Sequence, residues 1–416
     1  MNTSLRIAVV LSLHAAWLAP PAMAAEPART IVVDFSRETG RVEPRTGFLG
    51  GLRDATPDAI IEPLHPALWR IGHQFRGRIA DGLPGAIDRV GRLGATYKLV
   101  MSDLIGAKPG DYAAYELAVK KLVADVGPRT SAIIWEPVNE PDISHKPISG
   151  YYELYGHAFK ALREADPQAR ICGPGFAFPN YEKYRAFLDY CRANQLECNY
   201  LAWHYTGWDP AAPEQQKWQL GRLRELLAEY PGQKILEIHC DEWGAGPDKP
   251  GRLQPGRAVV WFHYLENVYR VDRACRANWG GPDDYLGGLI TPAGETLPVY
   301  HAYRFYGSTK GQMRVTTEGS DASIAALGSK TADRCEVLLG SVSEVATRVT
   351  LDLKGLPGDN PKIEVRLVRA SNPEQPLAGG DIPLVKDFNP VRLGDGVRIT
   401  LGRVEENQAY QILLRW

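Results

Sequence analysis

From residue 47 to residue 279, short runs of apolar residues alternate with longer stretches in which apolar positions recur every three to four residues. The short runs read as buried parallel strands at 47–52, 68–72, 96–101, 131–138, 170–173, 200–204, 235–241 and 274–279. Stretches between them, such as 112–126, 150–165, 181–193, 217–229 and 255–269, have the spacing of helices with one apolar face. Eight strands alternating with helices predict a (β/α)8 TIM barrel. A doubly wound sheet is the rival architecture, but no Gly-rich strand-to-helix turn supports it.

The pattern changes after residue 306. Short two-residue alternations follow at 322–329, 335–341, 346–353, 362–369, 397–401 and 408–414, broken by Pro357-Gly358 and Asp395-Gly396. This predicts a C-terminal antiparallel β-sandwich over 307–416, after a catalytic barrel over 45–306. An early strand in 25–44, around Ile31–Phe35, has no helix of its own and is expected to join the sandwich.

The first residues have another character. Arg6 precedes an apolar run, and Ala22-Met23-Ala24 has the small-x-small form of an export cleavage site. Residues 1–24 therefore read as a signal peptide cleaved near Ala24, giving a secreted or periplasmic protein. That run is too short to span a bilayer, and no other stretch is long and uncharged enough. A net charge of −1 gives no electrostatic case for nucleic acid or an anionic membrane. Six Cys in an exported chain permit disulfides, and Cys191–Cys198 is the best local pair. No CxxC or HExxH spacing occurs, so no metal site is expected.

Candidate chemistry sits at two strand ends. In Trp135-Glu136-Pro137-Val138-Asn139-Glu140-Pro141, an apolar run ends in Asn-Glu-Pro, which places polar side chains at the C-terminal mouth of a barrel strand. In Ile235–Gly244, a second apolar strand ends in Asp241-Glu242-Trp243-Gly244. Three βα units separate the two acids, so they should face each other across the mouth. Paired carboxylates are what glycosidic bond cleavage needs: Glu140 to protonate the leaving oxygen and Glu242 to attack the sugar. A separation near 5 Å suits a retaining mechanism, and one above 10 Å would end the assignment. Glu136 and Glu237 fall earlier in their strands and are rivals for the two roles, more suited to structural hydrogen bonds.

Asn-Glu-Pro ending strand 4, with Glu ending strand 7, resembles clan A of the glycoside hydrolases. Trp203-His204-Tyr205 and Asp241-Glu242-Trp243-Gly244 narrow the resemblance to glycoside hydrolase family 39. The stretch from Gly288 to Tyr303 is similar to the hairpin and last helix by which such barrels pass to a sandwich. The resemblance implies a carbohydrate substrate, double displacement without a cofactor, and action on xylosides, iduronides or bacterial exopolysaccharides. Two positions depart from the family pattern. Val138 stands where Trp is frequent, and Asp241 stands where Thr is common. Asp241 is expected to point away from Glu242, as strand neighbours do.

Around the acids, Asn139 can hydrogen-bond the sugar 2-hydroxyl, and His204 and Tyr205 can orient Glu242 or bind a hydroxyl. Arg70 and His73, ending strand 2, can donate to the substrate or to Glu242, with a structural ion pair the other reading of Arg70. Trp279 is a natural floor for the sugar, while Trp261, on a helix, suits the core. A barrel that binds carbohydrate without cleaving it is the alternative, and the presence of both acids argues against it.

Overall fold

The structure is a computed structural model describing residues 27–416 except 51, 78, 145–146, 178–179, 206–211, 245–252, 270, 278–285, 370–373 and 378–381, with side chains also left out at 212 and 213. The proposed signal peptide, Trp279 and most of the loop after the Glu242 strand lie outside the described residues.

Eight parallel strands close into a barrel: β2 (Thr46–Leu49), β3 (Leu68–Ile71), β4 (Thr96–Val100), β5 (Ile133–Glu136), β6 (Arg170–Phe176), β7 (Tyr200–Tyr205), β8 (Glu237–Trp243) and β9 (Arg273–Arg276). β2 pairs with both β3 and β9, so no barrel edge is left open. The helix Tyr112–Val126 starts at Asp111, whose side chain accepts from the Ala114 amide, and the helix Tyr181–Ala193 is capped in the same way by Asn180. In the barrel lumen, Leu68, Ile134, Cys172, Tyr200, Ala202 and Cys275 form one apolar cluster. Charged side chains share the lumen with it and give the site its character.

A nine-stranded sheet carries the second unit. It contains β1 (Ala28–Arg41), β10 (Met313–Glu318), β11 (Ile324–Lys330), β12 (Arg334–Ser341), β13 (Thr347–Lys354), β14 (Lys362–Val368), β15 (Asn389–Leu393), β16 (Gly396–Val404) and β17 (Ala409–Arg415), in the order 14-17-12-11-10-1-13-16-15. All neighbours are antiparallel except β1 and β13. Alternation assigns the faces: Val337 and Leu339 enter the sandwich core, whereas Leu338 between them joins the barrel core.

Helix Pro255–His263 lies directly on β11, β12 and β17. The approach needs glycine on both sides: a Cβ on Gly340 would fall 2.3 Å from the Gly256 carbonyl, and one on Gly256 the same distance from the Ser341 carbonyl. Gly340→Ala is therefore expected to destabilise the protein by about 1–3 kcal/mol, the usual cost of forcing volume into a packed contact. Urea unfolding checks this, and unchanged stability would mean the seam can relax. Glu266, buried in the next helical turn, accepts from Arg45 at 3.4 Å and from Arg314 at 2.6 Å, joining the N-terminal segment, the barrel and β10.

The Cys191–Cys198 bridge does not form. All six cysteines are free and buried, and the Cys198 thiol instead donates to the Tyr200 carbonyl at 3.0 Å. Burial pushes both thiols up, consistent with inert core residues.

Candidate active site

Arg70 on β3 is the hub of the barrel mouth. Its Nε and Nη2 each donate to one Glu136 oxygen at 2.7 Å, and its Nη1 donates to Glu242 Oε1 at 2.8 Å. Nη2 also donates to Asn139 Oδ1 at 2.7 Å. A guanidinium can only donate, so the Asn139 oxygen must face Arg70 and its NH2 group is left for another acceptor. Arg70 thus joins the two readings its position allowed: it forms a buried ion pair and it grips Glu242.

Glu140 follows Asn139 in an uncommon backbone conformation, with φ +44°. A residue before proline ordinarily stays extended, and a left-handed non-Gly residue costs roughly 1–2 kcal/mol. Its carbonyl repays part of that by accepting from the amides of Ile143 and Ser144 and from Ser144 Oγ. Asn139 is tied by its amide to Ser102 Oγ at 3.1 Å and bridges to Gly175 on β6. Strain concentrated at one polar residue of a barrel mouth is a frequent mark of a working site.

On β8 the register with β7 slips between Trp203 and His204: Trp203 pairs with Cys240, and His204 pairs with Glu242. Asp241 is the extra residue of this bulge. Its carboxylate therefore does not turn away from Glu242, as simple alternation predicts, but enters the lumen with it. There it bonds Lys98 Nζ and lies 3.7 Å from Arg70 Nε. Burial pushes the Asp241 carboxyl up, but Lys98 and Arg70 outweigh it and hold it at about 2. Glu242 moves the other way: burial raises it above the ordinary carboxylate value of 4.5, and its neighbour Glu140 adds to this, against Arg70.

His204 Nδ1 lies 2.9 Å from Glu140 Oε1 and 3.6 Å from Glu242 Oε2. One oxygen of each acid and one His204 nitrogen fall within 4.8 Å of one another, so the pair meets across the mouth at the distance expected for a retaining pair. Glu136, His204 and Asp241 form a second triplet of that size. Either triplet could be read as a cation site, but Arg70 and Lys98 already hold Glu136, Asp241 and Glu242 with charges from the chain itself.

The other expected residues divide. Tyr205 is half-buried and its ring packs 5.6 Å from Trp261, which belongs to the core as its helix position suggested. His73 is exposed in the turn after β3, near Asp103 and Gly50 rather than at the carboxylates. Arg70 reaches Glu242 because it points into the lumen, whereas His73 lies beyond the strand. Glu237 begins β8, at the opposite end of the barrel, and pairs with Arg273 and His239. Lys98, Ser102 and Gly175 were not anticipated. A lone Lys within Tyr97-Lys98-Leu99-Val100 was the available signal, since a buried ammonium demands a partner.

Residues 119–262 match the family model for glycosyl hydrolases family 39, a span that contains both acids. The chain resembles glycoside hydrolase family 39. Its fold is similar to that of N2152 from Neocallimastix frontalis, with a TM-score of 0.79 at 18% identity over 93% of this chain and 99% of that one. The GH39 enzyme from Xanthomonas axonopodis pv. citri gives 0.68 at 18% identity, covering 96% and 99%. A monomeric beta-xylosidase from Caulobacter crescentus gives 0.64 at 16% identity, covering 93% and 99%. No curated protein matches the chain in sequence. No helix among the described residues is long and apolar enough to cross a membrane.

Proposed function

We propose that this family 39-like barrel is an exported glycosidase that cleaves O-glycosidic bonds with retention, with Glu140 as acid/base and Glu242 as nucleophile. One observation carries the reading: the carboxylates of Glu140, just after β5, and Glu242, on β8, approach within 4.8 Å across the mouth. Glu242 is pinned by Arg70, and Glu140 stands at His204.

In the first step the Glu140 proton passes to the departing glycosidic oxygen while Glu242 bonds the anomeric carbon and the C–O bond breaks. In the second step water attacks that carbon, Glu140 takes the water's proton, and the bond to Glu242 breaks. Asn139 presents its amide NH2 to the sugar 2-hydroxyl, since Arg70 holds its oxygen. The N-terminal segment supports export. Xylosides are the first substrates to test, because solved structures of the same fold include enzymes named as beta-xylosidases.

Sugar release from aryl β-xylosides, xylo-oligosaccharides, other plant glycans and bacterial exopolysaccharides tests the reaction. We expect products from wild type whose first-formed anomer, read by proton NMR, keeps the configuration of the substrate. An inverted anomer, or equal product from Glu242→Ala, would remove the mechanism. Glu140→Ala should lose about 10²–10⁴-fold on substrates with poor leaving groups and much less on nitrophenyl glycosides. A uniform loss would deny Glu140 the acid role.

A further inference from the structure

The edge of the His204 ring turned away from the two acids is buried. His204 is 2% exposed, and its Nε2 has no hydrogen-bond partner among the described residues. Glu136 and Asp241 each bring a carboxylate oxygen within 4.8 Å of a His204 nitrogen. Gly175 lets these groups approach one another: a Cβ there would sit 2.9 Å from Glu136 Oε1, 3.2 Å from His204 Nε2 and 3.8 Å from Asp241 Oδ2.

We propose that these neighbours make His204 the positioning residue for the acid proton of Glu140, by fixing its ring in the neutral Nε2–H tautomer. The proposal rests on the acid role given to Glu140 above. A lone pair on Nε2 would face two carboxylates in a buried space, an unpaired and repulsive arrangement. A proton on Nε2 turns a positive end toward those carboxylates instead. The Nδ1 lone pair is then free to accept the Glu140 O–H at 2.9 Å, so the acid proton has a fixed direction before substrate arrives. Glu140 and Glu242 face Nδ1, and Glu136 and Asp241 face Nε2. Arg70 stands behind Glu136, and Lys98 stands behind Asp241. Deletion of the Gly175 space, or loss of Asp241 charge, would remove the reason for the tautomer.

Nitrogen-15 NMR of histidine-labelled full-length protein tests this, with the His204 signals assigned by their loss in His204→Phe. The expected result at neutral pH is a neutral ring with its proton on Nε2. A proton on Nδ1, or an imidazolium persisting at neutral pH, overturns the proposal. This readout does not depend on turnover, so it stands or falls separately from the glycosidase reading. A kinetic comparison adds a second check. His204→Phe should lose on the order of a hundredfold on phenyl β-xyloside and little on dinitrophenyl β-xyloside, because only the former needs its leaving group protonated. Equal losses on both would reduce His204 to a packing residue.

Discussion

Glu242→Gly should turn a working enzyme into one that releases no sugar, with a loss of about 10⁴-fold or more, the scale of deleting a covalent nucleophile. Arg70 would then stand beside an empty space on the side of the anomeric carbon away from Glu140. Azide can enter that space, and with an activated aryl β-glycoside it should yield the α-glycosyl azide. Appearance of that product identifies Glu242 as the group that occupied the vacated face, whereas recovery of the β-azide would assign the covalent role elsewhere. In the proposed mechanism the same carboxyl sets the acid side of the pH profile. Glu242 must be ionised to attack, and burial lifts it above 4.5, so activity should fall on its acidic side at a pH above that value. Arg70 favours the ionised form; in Arg70→Met that support is gone, Glu242 rises further, and the acidic limb moves to higher pH. A limb that stays in place would mean that it reports another group.

Much of this arrangement can be read before folding. The helices at 112–126 and 181–193 occur with those bounds, because Asp111 and Asn180 cap them and their apolar spacing is regular. The strand ends carrying Glu140 and Glu242 stand out because charge follows an apolar run without a break. Helix Ile79–Arg92 is harder to see: Gly82, Pro84, Gly85 and Gly91 argue against a helix, yet burial of Leu83, Ile87 and Val90 stabilises it. β10 and the exposed edge strand β15 carry little apolar alternation and pass as turns. Strand β8 begins two residues later than its apolar run, since Leu236 remains 64% exposed.

The candidate site was legible as single residues but not as a network. Alternation along a strand predicts that Asp241 and Glu242 diverge, and only the bulge against β7 sends both inward. Once both acids are inside, Lys98 on β4 acquires a purpose that its own strand does not reveal. Likewise Glu136 falls where a structural acid is expected, but its bidentate partner comes from β3, far away in sequence.

That network makes a second large prediction. Lys98 and Asp241 are fully buried, so removing either leaves an uncompensated charge in the lumen. Lys98→Met should cost about 3–5 kcal/mol of stability, the range for breaking a buried pair by deleting one partner. Adding Asp241→Thr removes the orphaned charge and restores the residue common at this place in the family, so the double variant should recover most of the loss. The two changes are therefore expected to be strongly non-additive in urea unfolding; additive losses would mean that the pair does not act as a unit. The pH dependence follows with a definite sign. Asp241 is held at about 2 in the folded chain against 3.8 as the ordinary value. Its contribution, about 2–3 kcal/mol, is present above pH 4 and is lost as the pH falls toward 2. In the double variant this acid-sensitive part should vanish, and the difference between the two stability curves between pH 4 and pH 2 measures how firmly Lys98 holds the carboxylate beside Glu242.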